Sequence, residues 1–564
     1  MIGPEAPRDP VEKGSSFYIC RQKAVAGNPR PDGTGVQFLY LNDGRMVTFA
    51  RLAGNITDEA MLEKLKTSEG FLEMVSGIGV SLEAADREET VDFVFQMYGK
   101  RDPNHSGTTM RVSCVPDGRE QIIWLDQVAW SGDDDIPGQI RFEFPKAGML
   151  AAADVKLYLR KGFTAPRQEE TFEVDPSSQA YQEMLRRSLV QLGNPGRLKN
   201  VIRRAREGKE VTIAFIGGSI TQGAGAVPIH KNCYAYQTFL RFRETFGSGE
   251  NVHFIKAGVG GTPSELGMIR FERDVLREGT VIPDLVVVEF AVNDEGDETK
   301  GCCYECLVRK IMSVSRHTAA VLLFSVFAND ENLQERLIPV GERYGLPMVS
   351  IKDAAVEQFY EKSGEGRVLS KSQFFYDSYH PSNMGHAVMA DCLMHLFRQA
   401  DQAEEAGEDC WMEKSPVYGT DFANVRLLDK KSNLEKAVLL EPGSFCCTDE
   451  ALQMAEMDDS FEPSPQFSYN WQHRQGRQAF RMILGCKALL LVSKDSGEIT
   501  AGKAEVFVDG RKILTADPRA VGWIHCHAQI LFSEEETREH LIEIRMAEGE
   551  EQKEFTILGF GFVE

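Results

Sequence analysis

Residues 210–400 alternate short apolar runs with amphipathic stretches, and this alternation constrains the fold more than any other feature of the chain. The apolar runs are 211–216 (VTIAFI), 252–257 (VHFIKA), 284–290 (DLVVVEF), 320–326 (AVLLFSV) and 347–351 (PMVSI). They are short, rich in β-branched residues and mostly apolar at successive positions, which is how a strand covered on both faces of a parallel sheet reads. Helical spacing is predicted between them, over 234–246, 263–277, 303–316, 332–345, 352–361 and 382–399. Parallel strands joined by helices need right-handed crossovers, so the loops that follow the strands gather along one rim. The expected class is therefore α/β, a three-layer domain with a central parallel sheet.

The flanks read differently. Over residues 15–165, SSFYICRQK, GVQFLYLN, RMVTFARL, VDFVFQMYG, MRVSCVP, QIIWLDQVAW, QIRFEFP and DVKLYLRKG are short alternating runs broken by Gly, Asp and Pro. Such a series predicts a β-sandwich of jelly-roll type, with a helical insertion near 58–75. Aromatics on such strands, Trp124 and Trp130 among them, are expected in the core, although a sugar platform would use the same residue types. Residues 176–207 take helical spacing around a Gly193-Asn194-Pro195-Gly196 break. From about 417 the pattern is β again (FRMILG, ALLLVS, AEVFVDG, WIHCHAQILF, LIEIRMA, FTILGFGFV). The predicted organisation is an N-terminal β-sandwich (1–175), a helical connector (176–209), the α/β domain (210–400), an acidic linker (401–416) and a C-terminal β-sandwich (417–564).

The sequence has 564 residues and a formal net charge of −22, with 85 acidic against 63 basic residues. A surface so charged repels nucleic acid and anionic membranes, so neither is an expected partner. The opening MIGPEAPRDPVEKG lacks the apolar segment of a secretory leader, and no apolar run reaches the roughly 18–20 residues of a membrane span. The 12 cysteines include two adjacent pairs and no framework spacing, so reduced thiols and a cytoplasmic location are expected.

Four segments fall where rim loops are expected: Gly217-Gly218-Ser219-Ile220-Thr221, Ala257-Gly258-Val259-Gly260-Gly261-Thr262, Ala291-Val292-Asn293-Asp294 and Asp377-Ser378-Tyr379-His380-Pro381. A serine hydroxyl is a poor nucleophile until an imidazole takes its proton, and His380 is the candidate base. Asp377, three residues earlier, suits the group that fixes the imidazole tautomer. A tetrahedral oxyanion needs preorganised donors, which the Ser219 and Gly261 N–H groups and the Asn293 amide supply. Asp294 reads as a residue that fixes its loop.

In order and type, these segments resemble the four blocks of the SGNH (GDSL-type) hydrolases, and the resemblance covers about residues 210–400. It implies a flavodoxin-like three-layer domain in which Ser219 is the nucleophile and Asp377 and His380 are acid and base. Ser219, Gly261 and Asn293 would form the oxyanion hole. The chain departs from the family pattern at Gly218, where the family has Asp, at Ala291, where Gly is common, and at Lys256, where Asn is common. A GGSIT-type block after a β-sandwich looks like the carbohydrate-esterase branches. The implied activity is removal of acetyl groups from plant-type manno- or xylo-oligosaccharides through an acyl-enzyme, with no metal or organic cofactor. The alternatives are a lipid or aryl esterase of the same superfamily, lysophospholipase-like, and a carbohydrate-binding protein with a degenerate site.

Other residues carry weaker signals. His230 and Tyr234 follow the serine block and are candidate substrate contacts. Cys303-Tyr304-Glu305-Cys306 lacks the second pair of a metal motif and reads as the start of a helix. Trp523, His525 and His527 alternate and so share one strand face. That face reads as satisfied sandwich histidines, as a two-histidine metal site, or as a wall closing over the α/β pocket.

Overall fold

In the central sheet, alternate residues of each strand go to opposite sides, and this builds the three layers. The strands are β1 (Leu189–Gln191), β2 (Val211–Gly217), β3 (Val252–Gly258), β4 (Leu285–Glu289), β5 (Ala319–Phe324) and β6 (Met348–Ser350), in the order β1-β6-β5-β4-β2-β3. Val211, Ile213 and Phe215 of β2 pack with helices Gly196–Arg206, Tyr234–Phe246 and Asn383–Gln402. Ala214 and Ile216 pack on the other side with helices Ser264–Asp274 and Cys302–Val314. Fully burying a Val, Ile or Phe contributes roughly 1.5–3 kcal/mol, so a strand apolar on both faces has one low-energy home. β2 to β6 are parallel, and their spatial order is the flavodoxin-like one with its switch between β2 and β4. The computed structural model describes residues 13–564 apart from 31–32, 43–44, 103–104, 167–171, 362–365, 405–410, 452 and 454–465.

The connector of 176–209 is part of this domain. Its helices Gln179–Arg187 and Gly196–Arg206 place Tyr181, Met184, Leu198 and Val201 in the central core. Between them β1 adds an antiparallel edge to β6. Part of the acidic linker, 405–410, lies outside the described residues. Trp411 within the linker is buried edge-on to Tyr344, and just beyond the linker the N–H groups of Val417, Tyr418 and Gly419 donate to the buried Glu305 carboxylate.

The N-terminal region forms two antiparallel sheets, of four strands (Ser16–Ala26, Leu150–Leu159, Val75–Glu83, Gln121–Trp124) and five (Asn28–Pro29, Val36–Leu41, Asp134–Glu143, Val91–Gly99, Thr109–Cys114). Phe17, Ile78 and Val155 from one sheet meet Phe93, Phe95 and Phe142 from the other in a common core. RMVTFARL, predicted as a strand, is instead the helix Met46–Gly54. Its buried Met46, Phe49, Ala50 and Ala53 have helical spacing, and this face outweighs the β-branched Val47 and Thr48. Trp124 is 44% exposed, with its ring against Tyr158 rather than in the core.

The C-terminal strands belong to one hydrogen-bonded sheet of eight, where two separate sheets are expected from the sequence. Phe480–Asp495 and His525–Met546 run through its whole length, breaking register at Cys486/Ala488 and Leu489/Leu490. Leu489 and Leu491 face the sheet's own core. Ala488, Leu490 and Val492 face the other way, into the core around helices Ser264–Asp274 and Cys302–Val314. Among the described residues, no helix is long and apolar enough to cross a membrane.

Candidate active site

Ser219 opens a four-residue helix, Ser219–Gln222, immediately beyond β2 at the switch in strand order. This is the crevice where open α/β sheets place their ligands. Close neighbours explain the two glycines before it: an ideal Cβ on Gly217 would lie 2.2 Å from Thr221 Oγ1. An ideal Cβ on Gly218 would lie 2.1 Å from Asn293 Oδ1, so the Asn293 amide occupies the space a side chain would need. Beneath the loop, the fully buried Arg270 donates to the carbonyls of Gly217 (2.9 Å) and Ala257 (2.8 Å), tying together the ends of β2 and β3. Its charge is balanced by Asp274 at 3.0 Å.

The segments at 219 and 377–380 meet. Ser219 Oγ lies 3.0 Å from His380 Nε2, and His380 Nδ1 lies 3.0 Å from Asp377 Oδ2. The carboxylate neighbour places the ring proton on Nδ1 and leaves the Nε2 lone pair for the serine. Asp377 Oδ1 also accepts the N–H groups of Tyr379 and His380, each at 2.8 Å. Burial alone would raise the Asp377 pKa. The imidazole and the two N–H groups outweigh it and hold the carboxyl below its ordinary range. The Ser382 side chain caps the long helix Asn383–Gln402, fixing the chain just after His380.

Asn293 meets the serine loop at Gly218, and Gly261 lies on the turn that follows β3. Asn293 Oδ1 is buried without a hydrogen-bond partner. Asp294 holds the turn, its carboxylate accepting the Ser264 N–H (2.8 Å) and hydroxyl (3.0 Å) at the start of helix Ser264–Asp274. Burial first, and Asp297 after it, push the Asp294 pKa up to about 8. Gly261 has φ +71°, a left-handed conformation that favours glycine.

Of the two candidate substrate contacts, His230 lies half-buried on the turn Ile229–Asn232. Tyr234 is not at the surface. It is fully buried, stacked on His386, and its hydroxyl bonds Thr221 Oγ1 at 2.8 Å. An apolar neighbourhood drew the ring inward while Thr221 satisfied its hydroxyl. His386 Nδ1 accepts the Tyr234 N–H, and burial lowers its pKa to about 3, so it is a neutral structural histidine.

Three groups have no counterpart among the sequence candidates. Glu289, at the end of β4, is buried under the loop and accepts from Thr221 Oγ1 at 3.1 Å, and burial raises its pKa to about 7. Lys23 reaches in from the N-terminal sandwich and donates to the carbonyls of Ser372 (2.6 Å) and Phe375 (2.5 Å). Asp495 receives His525 at 3.0 Å and His527 at 3.4 Å, so both histidines are engaged by one carboxylate. His525 also meets the α/β rim, its Nε2 lying 3.0 Å from the Gly261 carbonyl. Trp523 and His525 are the side chains nearest a Cβ built on Gly261.

Glu265, Asp297 and Cys303 bring ligand atoms within 4.8 Å of one another. Their carboxylates are used as loop acceptors: Glu265 takes the Glu298 N–H, and Asp297 takes Thr299 and Gly301.

No family model matches the chain, and no curated protein matches it in sequence. Solved structures do. A two-domain esterase (CEX) active on acetylated mannans, co-crystallized with mannopentaose, is 24% identical with a TM-score of 0.56, the match covering 67% of this chain and 98% of that one. A second structure of the two-domain esterase (CEX) active on acetylated mannans gives 23%, 0.56, 67% and 99%. A third of the present chain is thus additional to that two-domain arrangement. In fold, the chain resembles the SGNH-type hydrolases found among the carbohydrate esterases.

Proposed function

We propose that this protein is a serine esterase that removes acetyl groups from acetylated plant-type oligosaccharides, of manno- or xylo-type. The observation that carries the reading is the continuous relay Ser219 Oγ–His380 Nε2 and His380 Nδ1–Asp377 Oδ2, each step 3.0 Å. In the first half-reaction Ser219 attacks the ester carbonyl while His380 takes its proton. The oxyanion is met by the N–H groups of Ser219 and Gly261 and the Asn293 amide. His380 then protonates the departing sugar alkoxide. Water, deprotonated by the same imidazole, attacks the acetyl-serine, and acetate leaves. Asp377 keeps the tautomer and stabilises the imidazolium. The sugar preference draws on the fold shared with an esterase active on acetylated mannans. The free thiols among the described residues suit a reducing compartment, in keeping with a cytoplasmic enzyme acting on oligosaccharides.

The test is acetate release from acetylated manno-, xylo- and gluco-oligosaccharides, with long-chain esters alongside, for wild type and Ser219→Ala. Release from one sugar class, lost by a factor of about 10⁴ or more in the variant, is expected. Turnover of long-chain esters alone would replace the sugar reading with a lipolytic one.

A further inference from the structure

Residues 259–262 form a tight turn whose direction decides what Gly261 can do. The Thr262 N–H and hydroxyl both reach the Val259 carbonyl, at 3.4 and 2.8 Å, and Gly261 at the third position has φ +71°. Where this turn sits fixes where the Gly261 N–H sits, and a donor to an oxyanion works only when it is held in place.

We infer that His525, held by Asp495, is a positioning residue that locks this turn, and with it the Gly261 N–H, in place. This rests on the esterase reading above for its consequence in catalysis, and on geometry alone for the lock. His525 Nε2 lies 3.0 Å from the Gly261 carbonyl, and Nδ1 lies 3.0 Å from Asp495 Oδ2. His525 is 8% exposed and Asp495 2%. Both neighbours of the ring are oxygens, one a carboxylate and one a main-chain carbonyl. The Lys494 ammonium on the same strand is turned away, onto Asp449. Trp523 closes the other side: a Cβ on Gly261 would lie 2.2 Å from its Cη2, and its ring packs on His525 with centroids 4.8 Å apart. The turn is thus gripped at its carbonyl by the first residue of a strand 264 residues downstream, and at its α-carbon by Trp523 just before that strand.

Two near-isosteric substitutions separate the ring's two bonds. In His525→Gln the amide nitrogen falls where Nε2 was and keeps the Gly261 bond. In His525→Asn it falls where Nδ1 was and keeps only the Asp495 bond. With 4-nitrophenyl acetate, His525→Asn is expected to lower kcat by about 100-fold with KM within about threefold of wild type. His525→Gln should stay within about tenfold in kcat. Deuterium exchange of a peptide spanning 258–263 reads the lock without turnover, and should be faster in His525→Asn but not in His525→Gln. Equal exchange in the two variants, or equal kcat losses that follow their melting temperatures, would overturn the lock. Wild type that releases no acetate from any ester, with exchange still faster in His525→Asn, would sink the esterase reading and leave the lock standing.

Discussion

The two β regions that flank the α/β core each put one basic side chain against the site, and they do it differently. The N-terminal sandwich sends Lys23 under the segment that carries Asp377, where its ammonium holds two main-chain carbonyls. Tyr40 of the same sandwich meets Tyr376 edge-on at 5.7 Å. The C-terminal sheet sends His525 to a single carbonyl, that of Gly261. An ammonium has three donors and little directional demand, so it anchors a loop and biases a nearby carboxyl towards ionisation. An imidazole fixed by a carboxylate has one direction to offer, which suits the holding of a single carbonyl. The regions also differ in attachment. The sandwich keeps its own core, sharing Leu52 and the contact with Tyr376. The C-terminal sheet contributes Ala488, Leu490, Val492 and Cys526 to a core it has in common with the α/β domain. The comparison teaches that, in the proposed reaction, proton transfer and oxyanion binding depend on different parts of the chain.

The largest effect expected on the N-terminal side comes from Asp377→Asn. The amide reverses the tautomer of His380, and kcat should fall by about 10,000-fold while deuterium exchange at 258–263 stays as in wild type. Faster exchange there would show that the two halves of the site are coupled, and would break the comparison.

Next comes Gly261→Ala on the other side. An alanine at φ +71° is strained by about 1–2 kcal/mol, and its Cβ meets Trp523. A fall in kcat of about 100-fold is expected, with about tenfold regained in the double variant Gly261→Ala/Trp523→Ala. Additive losses in that cycle would mean that Trp523 does not press on the turn.

The smallest effect belongs to Lys23→Met, where kcat should fall about tenfold through loosening of the 372–380 segment. A pH signature identifies the lysine itself. Burial lowers its pKa from 10.5 to about 8, against the opposing pull of Cys20 and Asp377. Between those values the unfolded chain holds a proton that the folded protein has released, so this group makes folding more favourable as pH rises. Denaturant titrations from pH 7.5 to 10.5 should show wild type gaining up to about 3 kcal/mol relative to Lys23→Met. A constant difference between the two would show that Lys23 is solvated.

The parts of this molecule written in local pattern were legible in the sequence. Helix Tyr234–Phe246 has the predicted bounds, and the four loops declare themselves through Gly217-Gly218-Ser219, Gly260-Gly261, Asn293 and Asp377 to His380. Where two periodicities competed, as in Met46–Gly54, the apolar face decided against β-branching. The strand Val75–Glu83 escaped notice because Gly77 and Gly79 interrupt its pattern. At Gly77 a Cβ would lie 2.9 Å from the Trp124 ring, a contact that no local reading contains. Lys23 and His525 were illegible for the same reason on a larger scale. Their partners lie 349 and 264 residues away, and nothing beside either residue says what it will touch. The alternation of Trp523, His525 and His527 shows a shared face and leaves a wall over the α/β pocket as one of three readings.

The core shared by the C-terminal sheet and the α/β domain has a consequence for biosynthesis. As the chain leaves the ribosome, Ser219, Asp377 and His380 can come together once about residue 400 has emerged. The turn at Gly261 waits for residues 495 and 525, and the helices Ser264–Asp274 and Cys302–Val314 wait with it for their apolar cover. A nascent chain paused between these points would carry a complete proton relay over a bare greasy flank, an aggregation hazard that makes this stretch the natural client of a chaperone.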